Sequence, residues 1–268
     1  MVTASGLRRI GQGREAEIFL WPEGGVLKLY RDAAYARSRD VEAAAMAAAK
    51  AAGAPAPGAI ARVEVDGRPG LVMERVAGVD LLTQSGRKPW TVASAGYAMG
   101  VAHARLHAVT APPELPALKE RARARSIDAA RVPDDLRARA LAALDMLPDG
   151  AQLLHGDFHP GNVIVTDEGA QVIDWPNAAA GDPDADIART LLTLRIGEPP
   201  EGTPALVRAL IGIGRRVMTA FYTRGYRSQR AYDAAAVERW MAPVAIFRLQ
   251  DGIEEERARL LRIIDGLG

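Results

Sequence analysis

The sequence predicts an α+β fold with two lobes, in which a small antiparallel sheet with one helix precedes a larger, mainly helical lobe. Three observations predict it. Short apolar runs separated by glycines occupy much of the first 75 residues, helical patterns dominate after that point, and one short hairpin interrupts the helices. We expect the N-lobe to comprise residues 1–76 and the C-lobe residues 77–268.

Five strand-like apolar runs fill the N-lobe, with glycines or a turn at most of the joins. They lie at 7–10, 18–21, 26–30, 61–65 and 70–75. Between the third and the fourth, the alanine-rich stretch 35–53 favours a helix, which Gly53 and two nearby prolines end. This order predicts a meander, one helix and a second hairpin.

The C-lobe is expected to be helical on both sides of one hairpin. Helical patterns lie at 92–110, 119–131 and 133–147, and from 184 to the C-terminus. The hairpin strands are predicted at 162–166 and 170–173, with the turn at 167–169. The hairpin therefore lies in the middle of an otherwise helical lobe.

Composition narrows the class of protein. The 268 residues are 49% hydrophobic, which argues against disorder, and 34 Lys+Arg balance 33 Asp+Glu to a net charge of +1. No overall field favours nucleic acid or a membrane. The absence of cysteine excludes disulfides and thiolate chemistry. We expect a cytoplasmic protein without a membrane segment, a nucleic-acid partner or an obligate protein partner.

The stretch HGDFHPGNVIV, residues 155–165, carries the strongest chemical signal. Phosphoryl transfer needs a carboxylate that accepts the proton of an attacking hydroxyl and oxygen ligands for a hard cation. Asp157 is a candidate for the first role, and the side-chain carbonyl of Asn162 for the second. Asp174 ends the second hairpin strand, so the hairpin can bring it beside Asn162. The four residues between Asp157 and Asn162 match the spacing of the kinase catalytic loop.

Two segments, LLHGDFHPGNVIV and VIDWPNAAAGDPDADIARTLL, resemble the aminoglycoside phosphotransferase and choline kinase-like family, relatives of the protein kinases. The resemblance extends from the N-terminus to about Leu192. It implies a protein-kinase-like fold and an enzyme that requires Mg²⁺ and moves the γ-phosphate of ATP to a hydroxyl of a small molecule. GTP remains open as the donor, and aminoglycoside, macrolide, amino-alcohol and sugar acceptors all remain open.

By this resemblance, Asp157 in the catalytic loop 155–162 is the catalytic base, and Asn162 and Asp174 are the magnesium ligands. The metal-binding segment spans 172–176. His155 is expected to brace the loop. His159, which stands where many protein kinases have a lysine, is assigned to the transferred phosphate or the substrate.

The N-lobe carries matching features. Gly11 and Gly13 lie in a glycine-bearing turn, and Lys28 lies on a following strand. The resemblance implies that the two glycines approach the nucleotide phosphates, that Lys28 binds those phosphates and that Glu42 holds Lys28. A buried lysine also requires a carboxylate partner on physical grounds.

Backbone groups between Glu74 and Val76 are expected to contact adenine, because LVMERVAGVDL resembles the family hinge. Asp186 resembles the family aspartate that ties a helix to the catalytic loop. From the residues alone, Asp186 is an N-cap carboxylate.

Two alternatives stay open for the function as a whole. The first is a nucleotide-binding module without turnover, a pseudokinase. The second is a metal hydrolase with His155, Asp157 and His159 as ligands. His103 and His107 have the spacing of zinc ligands on a helix but lack the HExxH glutamate, so they are interpreted as one helix-face histidine and one packed histidine.

Two charged stretches are interpreted as solvated helix surfaces. The first is the arginine-rich segment 119–131, with an acidic substrate or phosphate as its alternative ligand. The second is DGIEEERARLL near the C-terminus, with a polyamine or aminoglycoside as the alternative.

Overall fold

The computed structural model describes residues 3–127, 132–167, 169–197, 202–249 and 251–266. Its architecture is the expected one, a small antiparallel sheet with one helix followed by a larger helical lobe. Within the described residues, no helix combines the length and the apolar character that crossing a bilayer requires.

The N-lobe sheet has five antiparallel strands in the order β1-β2-β3-β5-β4. The strands are β1 Arg9–Gln12, β2 Ala16–Leu20, β3 Val26–Tyr30, β4 Ala59–Val65 and β5 Arg68–Met73. Helix α1, Ala36–Ala51, connects β3 to β4. The first strand starts two residues later than expected, because the Leu7 amide closes a turn onto the Ala4 carbonyl instead of joining the sheet.

The central strand β3 is buried on both faces from Leu27 to Tyr30. Leu27 and Leu29 pack with Phe19 and Val72 in a small core on one face of the sheet. Lys28 and Tyr30 lie on the opposite face, because side chains alternate along a strand. The strand therefore carries Lys28 into the interior next to α1.

The C-lobe contains the remaining eight helices of the described chain. They are α2 Leu81–Arg87, α3 Val92–Leu106, α4 Leu118–Ile127, α5 Asp134–Asp145, α6 Pro183–Ile196, α7 Ala205–Arg227, α8 Ala234–Leu249 and α9 Glu254–Asp265. The last part of the predicted helix 119–131, residues 128–131, lies outside the described residues.

Five short strands are inserted among these helices. They are β6 Val79–Asp80, β7 Gln152–Leu154, β8 Val163–Thr166, β9 Gly169–Val172 and β10 Ala179–Gly181. Strands β8 and β9 form the predicted hairpin, which β6 joins at its edge, while β7 pairs with β10. Strands β6, β7 and β10 are too short to show an alternating pattern, and the sequence analysis missed them.

Helices α3 and α7 pack with their backbones in close approach. A Cβ atom on Gly100 would lie 2.1 Å from the Tyr222 carbonyl oxygen, and one on Gly96 would lie 2.5 Å from that of Met218. Glycine is thus required at both positions by space. The approach places His103 and His107 of α3 against Tyr222 and Tyr226 of α7.

Candidate active site

The catalytic-loop segment 155–162 connects β7 to β8 and is held by the side chain of Asp186 in α6. The two oxygens of this carboxylate accept the backbone N–H groups of His155 at 2.6 Å and Gly156 at 3.0 Å. Gly156 has φ +76°, and a Cβ there would lie 2.2 Å from the Asn177 carbonyl oxygen. Only glycine fits this position, so the backbone after β7 turns sharply and presents Asp157.

Asp186 is therefore not an N-cap, and that interpretation was wrong. The cap of α6 is Asp182, whose side chain accepts the Asp184 N–H at 3.0 Å, with Pro183 as the first helical residue. Asp186 lies in the helix and is fully enclosed, which leaves its carboxylate to bind the loop. The contact that the family resemblance implied is the one the structure contains.

His155 uses both of its ring nitrogens inside the protein. Its Nε2 lies 3.0 Å from the Ile173 carbonyl oxygen, and its Nδ1 accepts the Asp157 N–H at 3.3 Å. Both contacts are satisfied by one neutral tautomer that carries its proton on Nε2. The metal-hydrolase interpretation is therefore not supported, since His155 has no nitrogen left for a metal.

Asn162 and Asp174 are brought together by the β8–β9 hairpin. Val163 pairs with Val172, and the Ile173 N–H donates to the Asn162 backbone carbonyl at 2.9 Å. The side-chain amide of Asn162 donates to the Asp157 carbonyl at 3.0 Å, which fixes the orientation of the amide. Among the described residues, no hydrogen bond engages its side-chain oxygen.

Lys28 links the two lobes through two carboxylates. Its Nζ lies 2.8 Å from Glu42 Oε2 and 2.6 Å from Asp174 Oδ1. Burial opposes the charge of Lys28, but these two carboxylates outweigh it and hold the pKa of Lys28 above its ordinary value. Lys28 is therefore cationic at any physiological pH.

Glu42 is fully buried, and both of its carboxylate oxygens accept hydrogen bonds. Besides Lys28, it accepts the Tyr30 hydroxyl and, at 3.0 Å, the backbone N–H of Trp175. Such a set of donors compensates for the cost of burying a carboxylate. Glu42 thus ties α1, the N-lobe sheet and the segment after Asp174 into one unit.

Asp157 carries a side chain that is 24% exposed and faces two cations or potential cations. Arg189 Nη2 lies 3.3 Å from Asp157 Oδ1, and His159 Nε2 lies 3.7 Å from Oδ2. Burial raises the pKa of Asp157, but Arg189 and then His159 lower it by more, so the group is ionised. Burial lowers the pKa of His159, and its Nδ1 accepts the Gly161 N–H at 3.1 Å.

Of the two glycines that were predicted in a turn near the nucleotide phosphates, Gly13 lies in the β1–β2 turn, whereas Gly11 lies in strand β1. Gly11 pairs with Ile18, and the Gly13 N–H donates to the Ala16 carbonyl at 2.8 Å, so the turn is closed by its own backbone. The next residue, Arg14, reaches across to the C-lobe and donates to the Asp251 carbonyl at 3.0 Å.

In the expected hinge, the backbone of Glu74 is already hydrogen-bonded within the protein, whereas that of Val76 is not bonded to any described residue. The Glu74 N–H donates to the Gly58 carbonyl at 2.9 Å, and its carboxylate accepts the Gly58 N–H at 2.7 Å and the Lys50 ammonium at 2.9 Å. Glu74 is thus turned away from the interlobe side. No hydrogen bond within the described part of the chain engages the backbone of Val76.

Asp157 also belongs to a charged cluster that the sequence analysis missed. Arg189 Nη2 contacts Asp251 Oδ2 at 3.1 Å, and Arg248 Nη1 contacts the same oxygen at 3.3 Å. Arg248 further holds Glu256 through two bonds of 2.8 and 3.0 Å. The available signal was Arg189 itself, a single basic residue between the apolar pairs Ile187–Ala188 and Leu191–Leu192.

His103 and His107 are both fully buried, so both are packed histidines and neither lies on an exposed helix face. Together with Asp186 they are the only group of three metal-type ligands within mutual reach in the described residues. Their Nε2 atoms lie 3.1 and 3.4 Å from Asp186 Oδ2, and their Nδ1 atoms lie 2.8 Å from the Tyr222 and 2.9 Å from the Tyr226 hydroxyl. Neutral imidazoles satisfy all four contacts without a metal.

The arginine-rich helix and the acidic C-terminal run are less exposed than expected. Lys119 is buried and contacts Asp149 at 3.1 Å, while Arg121 donates to the Asn177 side chain at 2.9 Å. Glu256 is only 3% exposed and is paired with Arg248. Both stretches therefore hold the C-lobe together as well as facing solvent.

Several solved structures with a similar architecture are small-molecule kinases. A thermostable aminoglycoside phosphotransferase APH(4)-Ia in complex with AMP-PNP and hygromycin B is 19% identical, with a TM-score of 0.61 over 98% of this chain and 93% of that one. The amicoumacin kinase hAmiN with AMP-PNP, Ca²⁺ and Ami is 15% identical, with a TM-score of 0.64 over 99% and 88%.

A putative fructosamine-3-kinase from Haemophilus somnus 129PT is 16% identical, with a TM-score of 0.65 over 97% of this chain and 90% of that one. At these identities the likeness establishes the fold. No curated protein matches the chain in sequence.

The family comparison reaches further than the fold. Residues 6–221 match the family model described as the phosphotransferase enzyme family, APH. The match covers most of the chain and includes the catalytic-loop segment, the hairpin and Lys28. This protein therefore belongs to the phosphotransferase enzyme family and is a small-molecule kinase.

Proposed function

We propose that the protein transfers the γ-phosphate of ATP to a hydroxyl of a small molecule and requires Mg²⁺ to do so. One observation carries the proposal: Lys28 of the N-lobe contacts both Glu42 and Asp174, and the hairpin that carries Asp174 is hydrogen-bonded to Asn162, whose amide holds the Asp157 backbone. A cation for phosphates, two oxygen ligands and a carboxylate base thus meet at one place.

Asp157 is the proposed proton acceptor. As the acceptor hydroxyl attacks the γ-phosphorus, its proton passes to a carboxylate oxygen of Asp157, and the bond to the β–γ bridging oxygen breaks. Asp157 is ionised and part-exposed, as this role requires. His159 lies beside it and is the proposed contact for the transferred phosphate or the substrate.

Asn162 and Asp174 are the proposed magnesium ligands. The donor set fits, since both offer hard oxygen atoms: the side-chain carbonyl of Asn162 is left over after its amide binds Asp157, and the side chain of Asp174 is 49% exposed. When bound, Mg²⁺ neutralises negative charge on the phosphates. The amicoumacin kinase complex contains Ca²⁺ together with AMP-PNP, which supports the use of a divalent cation.

Lys28 is the proposed anchor for the nucleotide phosphates, with Glu42 as its positioning partner. The backbone at Gly11 and Gly13 is assigned to the phosphates and that near Val76 to adenine. Glu74 contributes to this hinge only through its backbone. The complexes of the structural neighbours contain AMP-PNP or ADP, which supports ATP rather than GTP. We keep 1–76 and 77–268 as the proposed lobe boundaries.

The test is a pair of variants assayed against a library of hydroxylated small molecules with Mg-ATP. Asp157→Asn should lower transfer by about 10²- to 10⁴-fold, the usual contribution of general base catalysis, while Mg-ATP binding persists. Asp174→Asn should lose both transfer and Mg-dependent ATP binding. Full turnover in Asp157→Asn would remove Asp157 from the role of base, and a wild-type protein that binds Mg-ATP without any transfer would identify a pseudokinase.

A further inference from the structure

Arg189 is an unusual neighbour for a catalytic base. It lies on α6, is only 8% exposed, and divides one nitrogen, Nη2, between Asp157 at 3.3 Å and Asp251 at 3.1 Å. Its Nε–H is buried without a hydrogen-bond partner among the described residues. A guanidinium has five N–H donors, and burying one unpaired has a cost. Arg189 is therefore incompletely paired at the place where the acceptor must bind.

The acids around Asp157 are, in contrast, already paired. Asp251 is shared by Arg189 and Arg248, and Glu256 is held by two bonds from Arg248. A cationic acceptor would have to displace an arginine to reach either carboxylate. An anionic acceptor would instead compete with Asp157 and Asp251 for the Nη2 group of Arg189 that the two acids share.

The charged cluster also lies next to the turn that is assigned to the nucleotide phosphates. Arg14, in the glycine-bearing turn assigned to the phosphates, contacts the Asp251 carbonyl at 3.0 Å. The side chains of Asp157 and Asp251 are each 24% exposed, so solvent reaches the cluster through them. A molecule bound between Asp157 and the turn would meet Arg189.

We propose that Arg189 recognises an anionic group, a carboxylate or a phosphate, on the hydroxyl-bearing acceptor. This inference rests on the proposed function and names its substrate class. The anion would replace Asp157 as a partner of Arg189 and so free the base when the acceptor arrives. The hydroxyl proton then passes to Asp157, the hydroxyl oxygen bonds to the γ-phosphorus, and ADP leaves with the electron pair of the broken bond.

The experiment compares wild type, Arg189→Met and Arg189→Lys with Arg195→Met as the control. Arg195 lies on the same helix, is 52% exposed and contacts only Glu238, at 3.9 Å, among the ion pairs of the described residues. Acceptors are supplied as matched pairs, hydroxy acids with their amides and phosphorylated alcohols with the free alcohols. The carboxylate and phosphate arms distinguish the two sources of the anion.

Wild type should prefer the anionic member of a pair. Arg189→Met should raise KM for that member by roughly 10- to 100-fold, the worth of a charge-assisted hydrogen bond, and leave KM for ATP unchanged. Arg189→Lys retains the charge but not the planar, forked guanidinium, so its KM for the anionic member should lie between those of wild type and Arg189→Met. Arg195→Met should behave as wild type. Equal losses for both members of a pair would show that Arg189 is merely structural, and a preference for neutral or cationic acceptors would overturn the inference.

Binding measured without turnover separates this inference from the proposed function. The same hydroxy acids and phosphorylated alcohols are titrated into the protein saturated with Mg²⁺ and AMP-PNP. If no acceptor is phosphorylated but the anionic probes bind wild type and not Arg189→Met, the inference stands and the proposed function fails. If no anionic probe binds wild type, or Arg189→Met and Arg189→Lys bind as well as wild type, the inference is wrong.

Discussion

At the scale of single residues, Asp174 adopts a backbone conformation that is rare outside glycine, with φ +69°. Such conformations cost on the order of 1–3 kcal/mol and persist where the surroundings hold them. Here the flanking residues are held: the Ile173 N–H is bonded to the Asn162 carbonyl and the Trp175 N–H to Glu42. The strain is thus maintained by hydrogen bonds on both sides and directs the carboxylate of Asp174 to Lys28.

His103 is the second residue whose environment departs from the ordinary. It stacks on Phe158 of the catalytic-loop segment, with ring centroids 3.9 Å apart, and donates toward Asp186, which holds the loop. Burial first and His107 second lower the pKa of His103 to about 3. The ring is therefore neutral in the folded protein throughout the physiological range.

This lowered pKa predicts a loss of stability in acid. The unfolded chain binds a proton on His103 below about pH 6.5, whereas the folded chain does so only near pH 3, so stability falls as pH drops between these values. At pH 4.5 protonation of His103 in the unfolded chain lowers the stability of the fold by on the order of 3 kcal/mol.

The control is His103→Gln, which retains a donor for Asp186 but does not titrate. Urea unfolding at pH 7 and pH 4.5 should show a smaller loss of stability for His103→Gln than for wild type. Equal losses in the two proteins would mean that His103 does not carry this acid sensitivity.

At the scale of elements, the contact between α3 and α7 decides where the histidines lie. Gly100 permits the two backbones to approach, and His103 and His107, one and two turns further on, reach the hydroxyls of Tyr222 and Tyr226. Through Asp186, this helix pair supports the catalytic-loop segment. The position of the loop therefore depends on a helix–helix contact outside the active site.

Gly100→Ala should destabilise the protein by about 1–3 kcal/mol, the usual cost of overpacking, because its Cβ would lie 2.1 Å from the Tyr222 carbonyl oxygen. Gly212→Ala on α7 is the matched control. No atom lies within 4 Å of its Cβ position, so alanine should stabilise the helix by roughly 0.5–1 kcal/mol. Chemical denaturation measures both. If Gly100→Ala left the free energy of unfolding unchanged, α3 and α7 could not approach each other this closely.

At the scale of the whole molecule, two contacts join the lobes across the proposed nucleotide site. Lys28 contacts Asp174 at 2.6 Å, and Arg14 contacts the Asp251 carbonyl at 3.0 Å. Both N-lobe groups lie on segments assigned to the phosphates. Mg-ATP should therefore bind between the lobes and stabilise them jointly.

Mg-ATP at 100 times its Kd should stabilise the folded protein by about 2.7 kcal/mol. Asp174→Asn should lose the part of this effect that depends on Mg²⁺. Thermal unfolding with ATP and EDTA, and with ATP and Mg²⁺, measures the difference. Glu238→Gln, a change at an exposed site, should respond as wild type. A Mg²⁺ effect that survives Asp174→Asn would exclude Asp174 as a ligand.

The two-lobed α+β fold and the reaction class were predicted from sequence and are confirmed. The predictions succeeded where the signal is local: glycine-punctuated strands, an alanine-rich helix, and the hairpin of β8 and β9. They failed where the outcome depends on distant partners. Asp186 is of a residue type that often caps helices. Whether such a residue caps its own helix or holds a distant loop depends on which backbone N–H groups the fold brings to its carboxylate.

The sequence by itself determined the order of the main strands and helices and predicted the residues proposed here for phosphoryl transfer, because backbone preferences and motif spacing act over a few neighbouring residues. Only the tertiary structure decided the partners of the buried charges. It placed Lys28 between Glu42 and Asp174, and Arg189 between Asp157 and Asp251. A buried charge requires a partner, but which of the 33 acids supplies it depends on chain segments folding together from 14 to 146 residues apart.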